Sequence, residues 1–471
     1  MRTIGILLPD GVGIKNYLYS NLLEELNKRE QVNVVIFHSS ELSNVKSLVN
    51  FDKFNVSYIP FRNYREDFKS RFLRESVAYA RLKHFTEKLN NPTILKTKTI
   101  ASKFTKKAFL KSVQLFAGTI YKDYNKILKL EAKYQKHLAQ CDFSFYENLL
   151  TENKIDLIIS LHQRPIINIP FYEAAKRLSV KRISVIYSWD NIAKAKLYSL
   201  ADKYLLWSSF MKNQMNLFYP EIPNDKLIIT GTPQFNFYRN SKFVLPKQEF
   251  CNKFKLDINK SKILFTGSDY RTSPYDDLLL ISTAEAILKL PEEKRPELIF
   301  RRSPADTSGR HNYVLSKYPW IVSIDPIWVN NGNNWGGAVP TFDDISNITN
   351  VVNNVNVIIN VSSTMALDGA ILDKPCIYLA FTPQKGLDEG FDYARDIHSE
   401  DHFKEMKKMN AVQYIYDEKD YSESIINIIE SPEKYCTGKH DFLHLITNSI
   451  ITEAESNIAN VIINSLNEKT A

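Results

Sequence analysis

The residues of this 471-residue chain best suited to chemistry stand where short apolar runs give out. Asp10 lies between Pro9 and Gly11, just past TIGILL. His162 follows DLIISL, and Asp190 stands in Ser188-Trp189-Asp190-Asn191, just past RISVIY. Carboxylates and imidazoles are the usual general bases. Asp10 is therefore a candidate base, with His162 and Asp190 as rivals. A cap, a turn residue or a packed polar group would explain any one of them equally well.

A second set suits anions. Val361-Ser362-Ser363-Thr364 joins the apolar run NVIIN to a helical stretch of small residues. Unpaired N–H groups and partial positive charge at a helix start favour phosphate, and three adjacent hydroxyls add to that cradle. Simple N-capping is the plain alternative. Asp368, one helical turn on, could accept ribose hydroxyls. LIFRRSPAD runs a strand straight into Arg301, Arg302, Ser303 and Pro304, and guanidinium groups there suit a diphosphate. Gly267 and Ser268, after SKILFT, let backbone approach a phosphate closely, although a tight turn needs a glycine as well.

The elements that must carry these residues follow a repeated rhythm of strand, loop and helix. Strands are predicted at 3–8, 31–38, 56–59, 156–161, 182–187, 203–207 and 226–230. A second series is predicted at 261–266, 297–301, 321–324, 355–360 and 375–380. Helices are expected at 171–178, 208–219, 276–290, 341–353 and 364–372, and one long helix at 442–466. Mostly apolar strands that each feed a helix imply parallel sheets covered on both faces. In such sheets ligands bind beyond the carboxyl ends of the strands, where both sets of candidates lie. The expected fold class is α/β, with two Rossmann-like domains facing a cleft. The first spans 1–240 and the second 255–435. Residues 238–258 read as a linker between them, and 440–471 as a closing helix returning to the first domain.

Residues 62–140 interrupt the rhythm as a helical insertion divided by Pro92. Residues 61–140 hold nineteen Lys and Arg against six Asp and Glu, whereas the whole chain has a net charge of +8. The remainder is thus net negative, which points to a local anionic partner rather than to general nucleic-acid binding. Lys103, Lys106, Lys107 and Lys111 lie among Phe104, Phe109, Leu110 and Phe116 at helix-like spacing. They form a candidate surface for anionic lipid or for an acceptor polymer.

No apolar run approaches the roughly 18 residues of a membrane span, and MRTIGILLPDG does not read as a signal peptide, so a cytoplasmic location is expected. Four cysteines show no Cys-x-x-Cys pairing. They read as free thiols, and no metal site is expected.

Three stretches resemble the bacterial surface-polysaccharide transferases of the glycosyltransferase B-type fold, including CDP-glycerol glycerophosphotransferases and capsule-type sialyl and Kdo transferases. They are Trp189-Asp190-Asn191 with KYLLWSS and ITGTPQFNFY, then Arg301-Arg302-Ser303-Pro304-Ala305-Asp306, then Ser362-Ser363-Thr364-Met365-Ala366-Leu367-Asp368 with Lys374-Pro375. The resemblance implies that the second domain binds the nucleotide, with Ser362, Ser363 and Thr364 on its phosphates. Two departures stand out. Ser303 occupies a place where the family often has the histidine of His-Pro, and Asp368 stands where many nucleotide-sugar enzymes have Glu. The implied activity is sugar transfer from a nucleotide-sugar donor to a glycan or lipid-linked acceptor, without metal or cofactor. CDP-alditol phosphotransfer, nucleotide-sugar epimerisation and a non-catalytic nucleotide-binding scaffold are the alternatives.

Overall fold

A computed structural model describes residues 1–39, 54–330, 338–400 and 402–468. The chain divides into two units. The first comprises Met1–Pro233, Asn330–Val339 and Ile446–Ala471, and the second Gln234–Val329 and Pro340–Leu445.

The first unit is built on seven strands: β1 (Thr3–Leu8), β2 (Asn33–His38), β3 (Val56–Pro60), β4 (Leu157–Ser160), β5 (Lys181–Val185), β6 (Lys203–Leu206) and β7 (Leu227–Ile229). All neighbours pair in parallel, in the order β3-β2-β1-β4-β5-β6-β7. Every residue of β1 and β4 is buried. This is why they read as continuous apolar runs rather than as alternating ones.

The second unit holds β8 (Lys262–Thr266), β9 (Glu297–Arg301), β10 (Val322–Ser323), β13 (Val357–Asn360), β14 (Cys376–Leu379) and β15 (Gln413–Ile415). Its order is β10-β9-β8-β13-β14-β15, again parallel throughout. β11 (Trp328–Asn330) and β12 (Ala338–Pro340) form a separate two-stranded sheet. The core of the second unit gathers Phe265, Leu279, Phe300, Ile359 and Tyr421.

The interruption between β3 and β4 is helical, with helices at Phe68–Lys88, Thr93–Lys96, Phe104–Ala117 and Tyr124–Leu138. A small core of Val77, Ala80, Ala117, Tyr121, Ile127 and Leu130 binds them together. Buried Arg81 ties them further, pairing with both Glu131 and Glu221.

Residues 238–258, read as a linker, carry the helix Lys247–Phe254, and Tyr238, Phe243 and Phe250 are buried. One expectation is corrected. The closing helix is two helices, Lys439–Thr447 and Ala454–Asn467. Between them Asn448 and Ser449 take φ of 51° and 56°, a left-handed backbone that a right-handed helix cannot continue. The second of these helices packs in the first unit, where Arg29 donates to Ser456 Oγ at 2.6 Å. Residues 469–471 of the predicted closing segment lie outside the described residues. Among the described residues, no helix is long and apolar enough to cross a membrane.

Candidate functional site

Both sheets begin in the middle. The chain lays down β1, β2 and β3 in one direction, then crosses back to place β4 on the other side of β1. The second sheet does the same at β8 and β13. The loops leaving the two central strands therefore part in opposite directions, and ligands of open α/β sheets bind in the gap between them.

In the first unit this gap is flanked by the loops after β1 and β4, which carry Asp10 and His162. The two side chains, 152 positions apart in sequence, meet with His162 Nδ1 at 2.7 Å from Asp10 Oδ2. An ionised carboxylate only accepts, so Nδ1 donates in this contact, and in the neutral imidazole Nε2 then carries the lone pair. Nε2 is buried and has no hydrogen-bond partner among the described residues. Asp10 Oδ1 accepts the Gly13 N–H at 3.3 Å. Gly11 allows a close approach of the Ala338 backbone, since a Cβ there would stand 1.9 Å from the Ala338 carbonyl oxygen.

The imidazole is also held from above and behind. The Tyr187 ring stacks on it with centroids 4.2 Å apart. Asn168 Nδ2 and Ser160 Oγ donate to the His162 carbonyl at 2.6 and 2.9 Å. Burial, and then the carboxylates of Asp10 and Asp190, push the Tyr187 phenol well above its ordinary value. Asp190 itself is paired with Lys194. Nearby Lys196 is lowered to about 8, first by burial and then by Arg164 and Lys194. Neither Tyr187 nor Lys196 stood out in the sequence. Tyr187 lay inside a predicted strand, but β5 ends two residues earlier.

In the second unit the loops after β8 and β13 flank the gap. Gly267 N–H donates to the Arg301 carbonyl at 2.8 Å. Ser268 is buried, and its N–H donates to Asp276 Oδ2 at 3.1 Å. The arginine doublet divides. Arg301 turns inward to Asp344 Oδ1 at 2.6 Å and the Ile324 carbonyl at 3.2 Å. Arg302 stays a third exposed, 3.2 Å from Asp325. Arg302 Nη1 also donates to the Asp306 carbonyl at 3.0 Å; of the two guanidinium groups expected at a phosphate, Arg301 is buried in an ion pair and Arg302 is partly exposed. Ser303 Oγ accepts the Ala305 N–H at 3.3 Å across Pro304.

The three hydroxyls after β13 also divide. Ser363 Oγ accepts the Met365 N–H at 3.2 Å, so it behaves as a cap. Thr364 is exposed and makes no side-chain cap to the short helix Met365–Ile371. Ser362 Oγ is buried without a hydrogen-bond partner among the described residues. Asp368 accepts from Tyr238 Oη at 2.7 Å.

Two features of this region were not expected from the sequence. Asp276 receives His311 Nε2 at 3.2 Å, while Arg310 donates to Asp306 at 2.7 Å and to the Ser268 carbonyl at 2.8 Å. His398 Nε2 donates to the Val361 carbonyl at 2.5 Å, bracing the 361–364 loop from beneath.

No family model matches the sequence, and no curated protein matches it. Solved structures do match in fold. The UDP-GlcNAc 2-epimerase of Neisseria meningitidis, bound to UDP-GlcNAc, superposes with a TM-score of 0.52 at 13% identity over all of both chains. The S. aureus MnaA–UDP structure gives 0.53 at 12%, covering 100% of this chain and 98% of that one. A glycosyltransferase of Rickettsia africae gives 0.51 at 11%, covering 100% and 99%. The chain has the glycosyltransferase B-type fold. At such identities the likeness speaks for fold and leaves function to the site.

The brace under the 361–364 loop has a pH signature. Burial lowers His398 to about 4, against about 6.5 when unfolded. Between those values the unfolded chain binds the extra proton, so stability falls as pH drops from about 6.5 towards about 4. The whole loss is on the order of 3 kcal/mol. His398→Gln should abolish this component. Unfolding free energies measured from pH 7 to pH 4 should then fall more steeply for the natural protein than for the variant. Parallel profiles would contradict the assignment.

Proposed function

We propose that this protein is a glycosyltransferase that moves a sugar from a nucleotide-sugar donor to a surface-polysaccharide or glycolipid acceptor. The observation that carries the reading is the Asp10–His162 pair. His162 Nε2 would take the acceptor hydroxyl proton as that oxygen bonds to the anomeric carbon. The bond from that carbon to the donor phosphate breaks, and the nucleotide leaves with the electron pair. Asp10 stays ionised, holding the Nδ1 proton and offsetting the charge of the imidazolium. In the second unit, Gly267, Ser268, Arg302, Ser362 and Thr364 are the groups we assign to the nucleotide. The Arg302 guanidinium and the Ser362 hydroxyl would meet the charge of the departing phosphate.

A second reading has a definite basis: several solved structures of like fold are UDP-GlcNAc 2-epimerases. The same imidazole could remove a carbon-bound proton. The helical insertion favours transfer, because a soluble nucleotide sugar needs no such surface. Lys103, Lys106, Lys107 and Lys111 are all exposed, as are Phe68, Ile100, Phe104, Leu115 and Phe116. The opposite face of the Phe104–Ala117 helix buries Leu110, Val113 and Ala117. We assign the exposed face to an anionic bilayer, where a lipid-linked acceptor would reside.

Two experiments follow. In a panel of nucleotide sugars with a polyprenyl-linked or glycan acceptor, free nucleotide should appear only when acceptor is present. Asp10→Asn and His162→Gln should each lower turnover by about 10²–10⁴-fold, the usual size of general-base catalysis. Interconversion of donor epimers without nucleotide release would favour the second reading, and a fully active Asp10→Asn would overturn the dyad. For the bilayer, co-sedimentation with phosphatidylglycerol vesicles should be strong at low salt and weaken as salt rises. Each basic side chain near the surface contributes about 1 kcal/mol, so Lys106→Glu with Lys107→Glu should release the protein. No binding to these vesicles at low salt would contradict the membrane assignment.

A further inference from the structure

Away from both sheet edges, three side chains of different chemistry converge at the base of the helical insertion. Asp67 precedes the Phe68–Lys88 helix and caps it, accepting the Ser70 N–H at 2.9 Å. His137 lies in the last turn of the Tyr124–Leu138 helix, and Cys141 follows it four positions on. His137 Nε2 stands 3.2 and 3.4 Å from the two Asp67 oxygens. Cys141 Sγ stands 3.8 Å from Asp67 Oδ2 and 3.9 Å from His137 Nε2.

A cysteine, a histidine and an aspartate invite comparison with a nucleophilic triad, but the geometry is wrong for one. A triad imidazole receives its proton on one ring nitrogen and is oriented through the other. Here thiol and carboxylate both address the same nitrogen, Nε2. Donors gathered about a single point are instead the arrangement of metal ligands.

The spacing agrees quantitatively. Tetrahedral Zn²⁺ with ordinary bond lengths separates nitrogen from oxygen by about 3.4 Å, and either from sulfur by about 3.6 Å. The three edges found here lie within about 0.3 Å of those values, so only small side-chain movements are needed. Each Asp67 oxygen has a second lone pair beyond the one used on Ser70. Ser70 Oγ lies 3.9 Å from the sulfur and donates to Asp67 Oδ2. Arg177 is engaged by the carbonyls of Leu138, Ala139 and Cys141 and by Glu147.

We propose that Asp67, His137 and Cys141 form a Zn²⁺ site, with water as fourth ligand, that clamps the two ends of the insertion together. Nitrogen, sulfur and oxygen donors in one tetrahedron suit zinc rather than magnesium or calcium. Binding displaces the thiol proton to solvent and moves the imidazole proton to Nδ1, leaving Nε2 free to ligate. Asp67 and His137 are 70 positions apart, so the ion closes the insertion as a loop, a structural role independent of catalysis at Asp10 and His162. His137 and Cys141, four positions apart, were passed over in the sequence, where no histidine was read at metal-ligand spacing from a cysteine. Only the fold brings Asp67 to them.

The test uses the full-length protein and the metal alone. After equilibration with Zn²⁺ and removal of unbound ion, one equivalent per chain should remain. Co²⁺ in its place should give a thiolate-to-metal charge-transfer band, assignable to Cys141 because Cys251, Cys376 and Cys436 are buried. His137→Gln and Cys141→Ser should each weaken binding at least a hundredfold, with circular dichroism unchanged. Asp67→Asn, which can still cap the helix, should weaken it at least tenfold. If a variant fails to fold, the cobalt spectrum of the natural protein still decides. Absence of the charge-transfer band, or Zn²⁺ binding unchanged in folded His137→Gln and Cys141→Ser, would overturn the site.

Discussion

The structure depends on one topological constraint: each parallel sheet starts at its centre and grows outward in both directions. Parallel neighbours need crossover connections, and reversing the direction of growth leaves one pair of adjacent strands whose exit loops diverge. In the first unit the reversal brings together the ends of β1 and β4, and with them Asp10 and His162. In the second it brings together the ends of β8 and β13, and with them Gly267, Ser268 and Ser362. The proposed site sits where the sheet order makes the exit loops diverge.

Local physics then decides which candidates remain available to a ligand. Successive residues of a strand point to opposite faces, so an arginine doublet at a strand end cannot aim both groups outward. Arg301, the last residue of β9, is buried against Asp344, and Arg302 is left at the surface. Losing one partner of such a buried pair costs about 3–5 kcal/mol, which marks Arg301 as structural. The hydroxyl run divides similarly. Ser363 serves the backbone, while Ser362 has a buried and unanswered oxygen. An orphan of that kind carries a desolvation cost of about 1–3 kcal/mol, which a bound polar ligand would offset.

Strands were the most legible part of the sequence, because a strand buried on both faces is a short apolar run bounded by polar residues. The run at 297–301 matches β9 residue for residue. The edge strand Gln413–Ile415 was not legible, being only three residues long and half-buried. Helical periodicity carried the reading of 442–466 past Asn448 and Ser449, because a break made by backbone angles leaves little trace in the apolar pattern. The candidate site was legible as positions and not as partnerships. Asp10 and His162 were both read as strand-end candidate bases, and their pairing across 152 residues is what the proposed division into base and orienting group rests on. Tyr187, His398 and the Asp276–His311 contact depend on distant segments meeting, which spacing alone does not encode.

The central claim is that the second unit holds a nucleotide at the reversal between β8 and β13. Hydrogen exchange of backbone amides, followed by mass spectrometry with and without saturating UDP, UDP-GlcNAc or CMP, tests it most directly. The expected result is slowed exchange in the segments 266–270 and 361–369 with at least one of these nucleotides, and unchanged exchange in the helices of the insertion. Protection confined to other segments, or none from any nucleotide that binds by calorimetry, would contradict the account.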